Sequence, residues 1–411
     1  MRRILVPLAL ALCAGCHVGN NLPDAAASAG TSAFYYQSGG TATLSGKSAT
    51  VSTADESAVC VANGGTLNLS STTLLTSGST TSVAGSVDFG LDAAVLAKSA
   101  STINLASCSV STSGTGAAGV FATGSGSAAN LSGVTVMTTG AHGLGVAATL
   151  GGALSLADCT ISTAGADAAA LGMYDGTGTA TVTGGSMTTS GTGSPVIHSQ
   201  GAVAVQDGTL TATASDAAEI QGGHSITLTG SALSSTGPGT RAVLIHPDSG
   251  TAQATFTMTA GSLSAASGPL FFVTGLEAAI TLQGVALGAG SGVLVEVSAG
   301  SATLAAVGQA MAGNLVTDDD ASAIAATLSG GSALRGVIDR AALTLDAASS
   351  WTLTGTSRLT TLADAAGINT GAVSNITGNG HSVTYDATLA GNAYLAGATY
   401  TLAGGGQLLP E

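Results

Sequence analysis

Four polar residues stand at intervals that can bring them together: Asp175, His198, Gln221 and His246, separated by 23, 23 and 25 residues. In a chain that repeats with a period near those values, residues so spaced form a stripe up one side of the molecule. Carboxylate, imidazole and amide groups in a row can hydrogen-bond a sugar or hold a metal. Arg241 and Asp248 lie near this set in sequence. The plainer reading is a group of separate polar residues on an exposed strand face. A second candidate is the acidic run Asp318-Asp319-Asp320, whose oxygens suit either a solvated loop or calcium. Cys60, Cys108 and Cys159 show no CxxC or Cys/His spacing that would suggest zinc. Two repeats separate Cys108 from Cys159, about 10 Å in a stack, which exceeds disulfide reach. Small buried thiols are expected there.

The stripe exists only if the chain repeats, and between Gly64 and Gln200 it does. Thr-Ser-Gly at 76–78 and 112–114, Thr-Thr-Gly at 138–140, Thr-Ala-Gly at 163–165 and Thr-Ser-Gly at 189–191 mark one place in successive copies. Four residues before each marker Gly stand Leu74, Val110, Val136, Ile161 and Met187. Nine before it stand Leu69, Leu105, Leu131, Leu156 and Val182. Two before it is always Thr, and five before it is always Ser or Thr. Alternation by two is the periodicity of a strand with one face in and one out. Each copy holds three short strand-like runs, such as Ile103–Leu105, Val110–Thr112 and Gly119–Ala122. A single strand cannot bury its face, but stacked coils can, with equivalent strands pairing in parallel.

The sequence therefore predicts an all-β, single-stranded, right-handed parallel β-helix. About 11–13 coils of roughly 22–26 residues make a body about 50–65 Å long. Ser71, Ser107, Gly133, Asp158, Gly184, Asp207 and Gly230 follow the first strand of each coil and are expected to turn the chain. The Thr column shares parity with the apolar column, so it is expected to point inward or line a corner, each hydroxyl bonding the Thr above. That parity weighs against a flat Thr array for binding ice or crystals.

Charge narrows the partners. Only 7% of residues are charged, and the net charge is −14. Beyond the first few residues the basic ones are Lys47, Lys98, Arg241, Arg335, Arg340 and Arg358, too few for nucleic acid. Residues 93–157 hold neither Asp nor Glu. The 45% hydrophobic content includes no further run long enough to span a membrane as a helix.

Residues 1–15 have the pattern of a signal peptide, with Arg2 and Arg3 before the apolar Ile4–Leu12. Cys13-Ala14-Gly15-Cys16 resembles the lipobox of bacterial lipoproteins, with Cys13 where Leu is usual. The resemblance implies lipidation at Cys16, with plain secretion as the alternative. Residues 16–32 are expected to form a tether and 33–299 the regular β-helix. Residues 300–411 are expected to be degenerate coils with a cap holding Trp351. Phe34-Tyr35-Tyr36 is expected to cover the first coil. Thr81–Gly90 is an insertion expected as a surface loop. Leu270–Val273 is expected to be buried.

Columns, leader and the Gly/Ser/Thr/Ala bias together resemble bacterial cell-surface β-helix proteins, the adhesin-like and autotransporter-passenger-like group. The tail lacks the alternating strands of a translocator barrel, so the lipid is expected to hold the chain to an outer membrane or cell surface. The same pectin-lyase-like fold serves lyases and galacturonases, which implies an Arg-x-Lys motif or clustered acids facing Arg or Lys. The Arg-x-Lys motif is absent. The resemblance implies a monomeric, non-catalytic adhesin or envelope shaft without a cofactor, whose partner is a surface glycan or a protein of a partner cell. A polysaccharide-binding or polysaccharide-degrading protein is the alternative.

Overall fold

A computed structural model describes residues 32–250 and 252–411; residues 1–15, Cys16 and almost all of the expected tether lie outside them. The described chain is an all-β parallel β-solenoid of about 15 turns with three strands per coil. In coil order the first face begins at Thr41–Ser45 and continues to Gln407–Pro410. The second face has 10 strands, from Ser48–Val51 to Ala286–Ala289. The third has 12, from Ser32–Ser38 to Asn314–Thr317.

The apolar columns stack residue on residue. Leu69, Leu105, Leu131, Leu156, Val182, Val205 and Leu228 pair in sequence along the first face. Leu74, Val110, Val136, Ile161 and Met187 do so along the second. All are buried, and each full burial of such a side chain contributes about 1.5–3 kcal/mol. The residues expected to turn the chain after the first strand are left-handed: Ser71 at φ 48°, Ser107 at 52°, Asp158 at 51° and Asp207 at 56°. Short polar side chains tolerate this region, where β-branched ones are strained.

The marker glycines have a steric cause. A Cβ on Gly140 would lie 1.9 Å from the carbonyl oxygen of Gly114, and one on Gly114 would lie 1.5 Å from that of Gly78. Successive coils meet backbone to backbone at this corner. The buried Thr column is inward as expected, but it does not form a ladder. Thr112 Oγ1 donates to the Ala117 carbonyl at 2.7 Å, and Thr163 Oγ1 to that of Ala168 at 2.6 Å. These hydroxyls, with that of Thr138, tie the corners of their own coils, because the nearer acceptor is five residues on rather than a coil away; those of Thr76 and Thr189 are buried without a partner.

Three further expectations change. Thr81–Gly90 is no loop: Val83–Phe89 is a short helix, capped by the Ser82 hydroxyl and by left-handed Gly90. It lies against the outside of the third face, where Thr149 Oγ1 donates to the Asp88 carbonyl at 2.8 Å. Leu96, Phe121 and Ala147 are buried there in a second, outer apolar cluster. Phe272 faces outward beneath Arg241, while Leu270, Phe271 and Val273 are buried. The turns outnumber the expected 11–13 because they shorten: Ile324 stacks on Ala341, 17 residues on. Past Thr317 the third face has ended, and a turn needs only two strands.

Tyr35 is buried in the strand that opens the third face. Trp351 is fully buried, its indole N–H donating to the Gly336 carbonyl at 3.0 Å. Cys60, Cys108 and Cys159 are buried free thiols, and burial pushes Cys60 up to about 11.

Gly140→Ala is expected to lower stability by about 1–3 kcal/mol through overpacking. Thr135→Ala, on the exposed column, is expected to stay within about 0.5 kcal/mol. Thermal unfolding of the two variants checks this, and equal midpoints would remove the close backbone approach as a constraint.

Candidate functional site

The third face carries one continuous outward column. Tyr36, Cys60, Leu96, Phe121, Ala147, Gly172, His198, Glu219, Leu244, Phe272 and Glu296 pair in order along it. The short helix covers its apolar start. Where that cover ends, the column turns polar at His198 and Glu219.

This register splits the expected stripe. Leu171, not Tyr174, stands beside Ile197, so His198 neighbours Gly172 and Glu219 rather than Asp175 and Gln221. Asp175 falls past the strand end at φ 63°, and its backbone N–H donates to Gln200 Oε1 at 3.0 Å. Gln221 and His246 do pair, in the adjacent outward column. Gln200 reaches them through its Nε2, which donates to Gln221 Oε1 at 2.6 Å. The stripe is thus two parallel rows, with His198–Glu219 in one and Gln200–Gln221–His246 in the other.

Tyr174 links the rows to the stack below. Its ring folds back over Gly172, where a Cβ would lie 2.6 Å from it. The ring stacks on the His198 imidazole with centroids 4.7 Å apart and planes inclined 20°. Burial pushes the Tyr174 hydroxyl pKa up, with the Glu219 and Asp167 charges adding to it, so it stays a proton donor. On its other side His198 Nδ1 lies 2.9 Å from Glu219 Oε2. Burial would raise the Glu219 pKa, but the His198 hydrogen bond and charge outweigh it, with His246 and Arg241 adding to the effect. The carboxyl is therefore held below the usual range. With Nδ1 engaged, the second His198 nitrogen is left; Nε2 of both His198 and His246 is buried without a hydrogen-bond partner.

Arg241 does not serve this pair directly. Its backbone N–H and guanidinium both bind Asp216, at 2.6 and 3.2 Å, and it covers the Phe272 ring at 4.4 Å. Glu219, Tyr174 and Gln200 are the members that the spacing argument missed. A 26-residue coil between Leu171 and Ile197, where 23 was assumed, hid them.

The acidic run is dispersed. Asp319 accepts from Ala321 N–H at 2.9 Å and Ser322 Oγ at 2.8 Å, closing its own turn. Asp320 pairs with Arg340. Among the described residues no group of three or more His, Cys, Asp or Glu side chains is placed to hold a metal ion.

The first face presents different chemistry. Its central outward column runs Thr43, Asn68, Asn104, Asn130, Ser155 and Thr181, all in register. Asn104 Nδ2 donates to Asn68 Oδ1 at 2.7 Å, and Asn130 Nδ2 to Asn104 Oδ1 at 2.8 Å. Along this amide ladder lies a shallow trough of about 480 Å³, lined by Asn, Ser and Thr with Leu and Ala. Flanking columns such as Thr66, Thr102, Ala128 and Ala153, or Ser70, Ala106, Ser132 and Ala157, are uncharged as well. The outward surface here is three columns wide, not one.

No model of a known protein family matches this chain, and a search of curated proteins finds no match either. No helix among the described residues is long and apolar enough to cross a membrane.

Glu219→Gln tests the charge pair. A carboxyl with a depressed pKa contributes stability above its ordinary pKa and loses it as the pH falls through the folded value. Wild type is therefore expected to unfold at a higher temperature than the variant near about pH 7, and the gap is expected to close in acid once the pH falls below the lowered folded-state pKa. A gap that persists in acid would show that charge is not what the pair contributes.

Proposed function

We propose that this chain is a non-catalytic recognition shaft, held outside a bacterial cell through a lipid at Cys16, whose first face binds a neutral surface glycan. The observation that carries the reading is the amide ladder Asn68–Asn104–Asn130 within an uncharged, flat strip of hydroxyl and methyl groups. Amides offer both donors and acceptors, which matches the alternating donors and acceptors of sugar hydroxyls. Methyl groups of Ala and Thr between them suit the apolar faces of sugar rings. A ladder spaced at about 4.8 Å per coil repeats that pattern along a polymer. The absence of charge across the strip disfavours an anionic chain and costs a neutral one little desolvation.

A second reading, polysaccharide cleavage on the third face, has one observation in its favour. His198 bound to Glu219 is an orienting pair of the kind that prepares a base. Against it, the free imidazole nitrogen is buried, and the nearby Arg241 is committed to Asp216.

Binding and turnover on a panel of neutral polysaccharides separate the two. Asn104→Asp with Asn130→Asp is expected to weaken binding by about tenfold or more, which is about 1.4 kcal/mol. His198→Ala is expected to leave binding unchanged. Product release that vanishes in His198→Ala would overturn the shaft reading in favour of the enzyme.

A further inference from the structure

A second concave site lies on the third face, where the short helix meets the strands. It is a cleft of about 500 Å³ whose lining includes Asp55, Phe89, Leu91, Asp92, Leu96 and Lys98. That volume falls in the range of small-molecule sites. Two observations set it apart from a surface dent.

The first is Asp92. Its residue is 1% exposed, and neither carboxylate oxygen has a partner at full hydrogen-bond geometry; the backbone N–H groups of Asp55 and Glu56 pull its pKa down but do not offset its burial. A buried carboxylate without donors is costly, by several kcal/mol in general, and such groups are retained where a ligand supplies what the fold withholds. The second is Phe89. In a chain only 3% aromatic, this ring stands at the cleft 58% exposed, although the helix that carries it buries its neighbour Leu96. An exposed ring beside an undersupplied acid offers an apolar platform and an acceptor together.

The charge balance indicates the ligand. Asp55 adds a second carboxylate, fixed by Thr81 N–H at 2.8 Å and Thr80 Oγ1 at 3.0 Å. Burial works against its ionisation, yet these bonds, with that from the Thr81 hydroxyl, hold its pKa down. Two carboxylates and one lysine, Lys98, thus line the cleft.

We propose that this cleft binds an amino sugar, with the ammonium group on Asp92 and the ring face on Phe89. The site is separate from the first-face trough and does not depend on the glycan reading of that face. The cation brings well-placed donors to a carboxylate that the Asp55 and Glu56 backbone N–H groups serve only weakly, and its charge compensates an acid that burial otherwise penalises. Burial and the Asp55 charge push Asp92 up to about 7, so binding an ammonium below that pH displaces a proton from Asp92 to the buffer. Affinity is expected to rise from about pH 5 to about pH 7 as that proton is lost.

Calorimetric titration of the full chain with glucosamine, N-acetylglucosamine and n-butylamine tests this. Glucosamine is expected to bind with proton release at about pH 6. Acetylation, which removes the charge, is expected to weaken binding about tenfold or more, and so is Asp92→Asn. Phe89→Ala is expected to weaken glucosamine but not butylamine. Asp92→Asn has an internal control for folding. The wild-type acid loses stability as pH rises through about 7, so the variant is expected to unfold no lower than wild type at about pH 8. No saturation by glucosamine at about 10 mM, equal affinity for the acetylated sugar, or affinity unchanged in Asp92→Asn would each overturn the proposal. Butylamine binding as tightly as glucosamine would overturn the saccharide assignment.

Discussion

Everything in this molecule depends on coils stacking backbone on backbone without slipping. At the marker corner the approach is so close that no Cβ fits between Gly78, Gly114, Gly140, Gly165 and Gly191. A one-residue slip in any strand would turn every apolar side chain outward. The glycine corner prevents it by admitting one register, and at Thr112, Thr138 and Thr163 the threonine two residues earlier closes the corner by donating its hydroxyl to the carbonyl five residues on. Leucine columns then supply the burial energy, but the glycines decide which residues share a column.

The same register governs the outside. Side chains that cannot enter the core are delivered in straight rows, so a face has the character of whatever its column repeats. On the first face that gives a neutral amide and hydroxyl strip. On the third it gives a column apolar from Tyr36 to Ala147, polar at His198 and Glu219 and apolar again at Leu244 and Phe272. The inserted helix covers the first apolar part, and the aromatic ring of Tyr174, lying over Gly172, closes the transition. Helix, stacked ring and charge pair are thus successive ways of finishing one column whose inner side is mostly apolar.

The first and second strands were legible in the sequence because each has punctuation beside it: a left-handed turn residue such as Asp158 after one, a marker glycine after the other. Third-strand positions have no such neighbour, and the corner that follows varies in length. A 23-residue interval therefore sets Asp175 beside His198, whereas Gly172 stands there. Glu219 was invisible as a partner for the same reason. The helix at Val83–Phe89 was missed because seven residues rich in small side chains carry no helical period; only Ser82 and Gly90 mark its ends. Asp92 could not be recognised at all, since its burial depends on that helix.

The loss of the third face past Thr317 has a mechanical consequence. Three sheets around a core form a prism, which resists bending in every transverse direction. Past Thr317 the strands belong to one sheet that closes on itself with two strands to a turn, and a two-sided section bends more easily across its thin direction than a three-sided one. Under a lateral load the two-sided part that follows Thr317 is therefore the more compliant one. The prism before it transmits the load as a rigid lever.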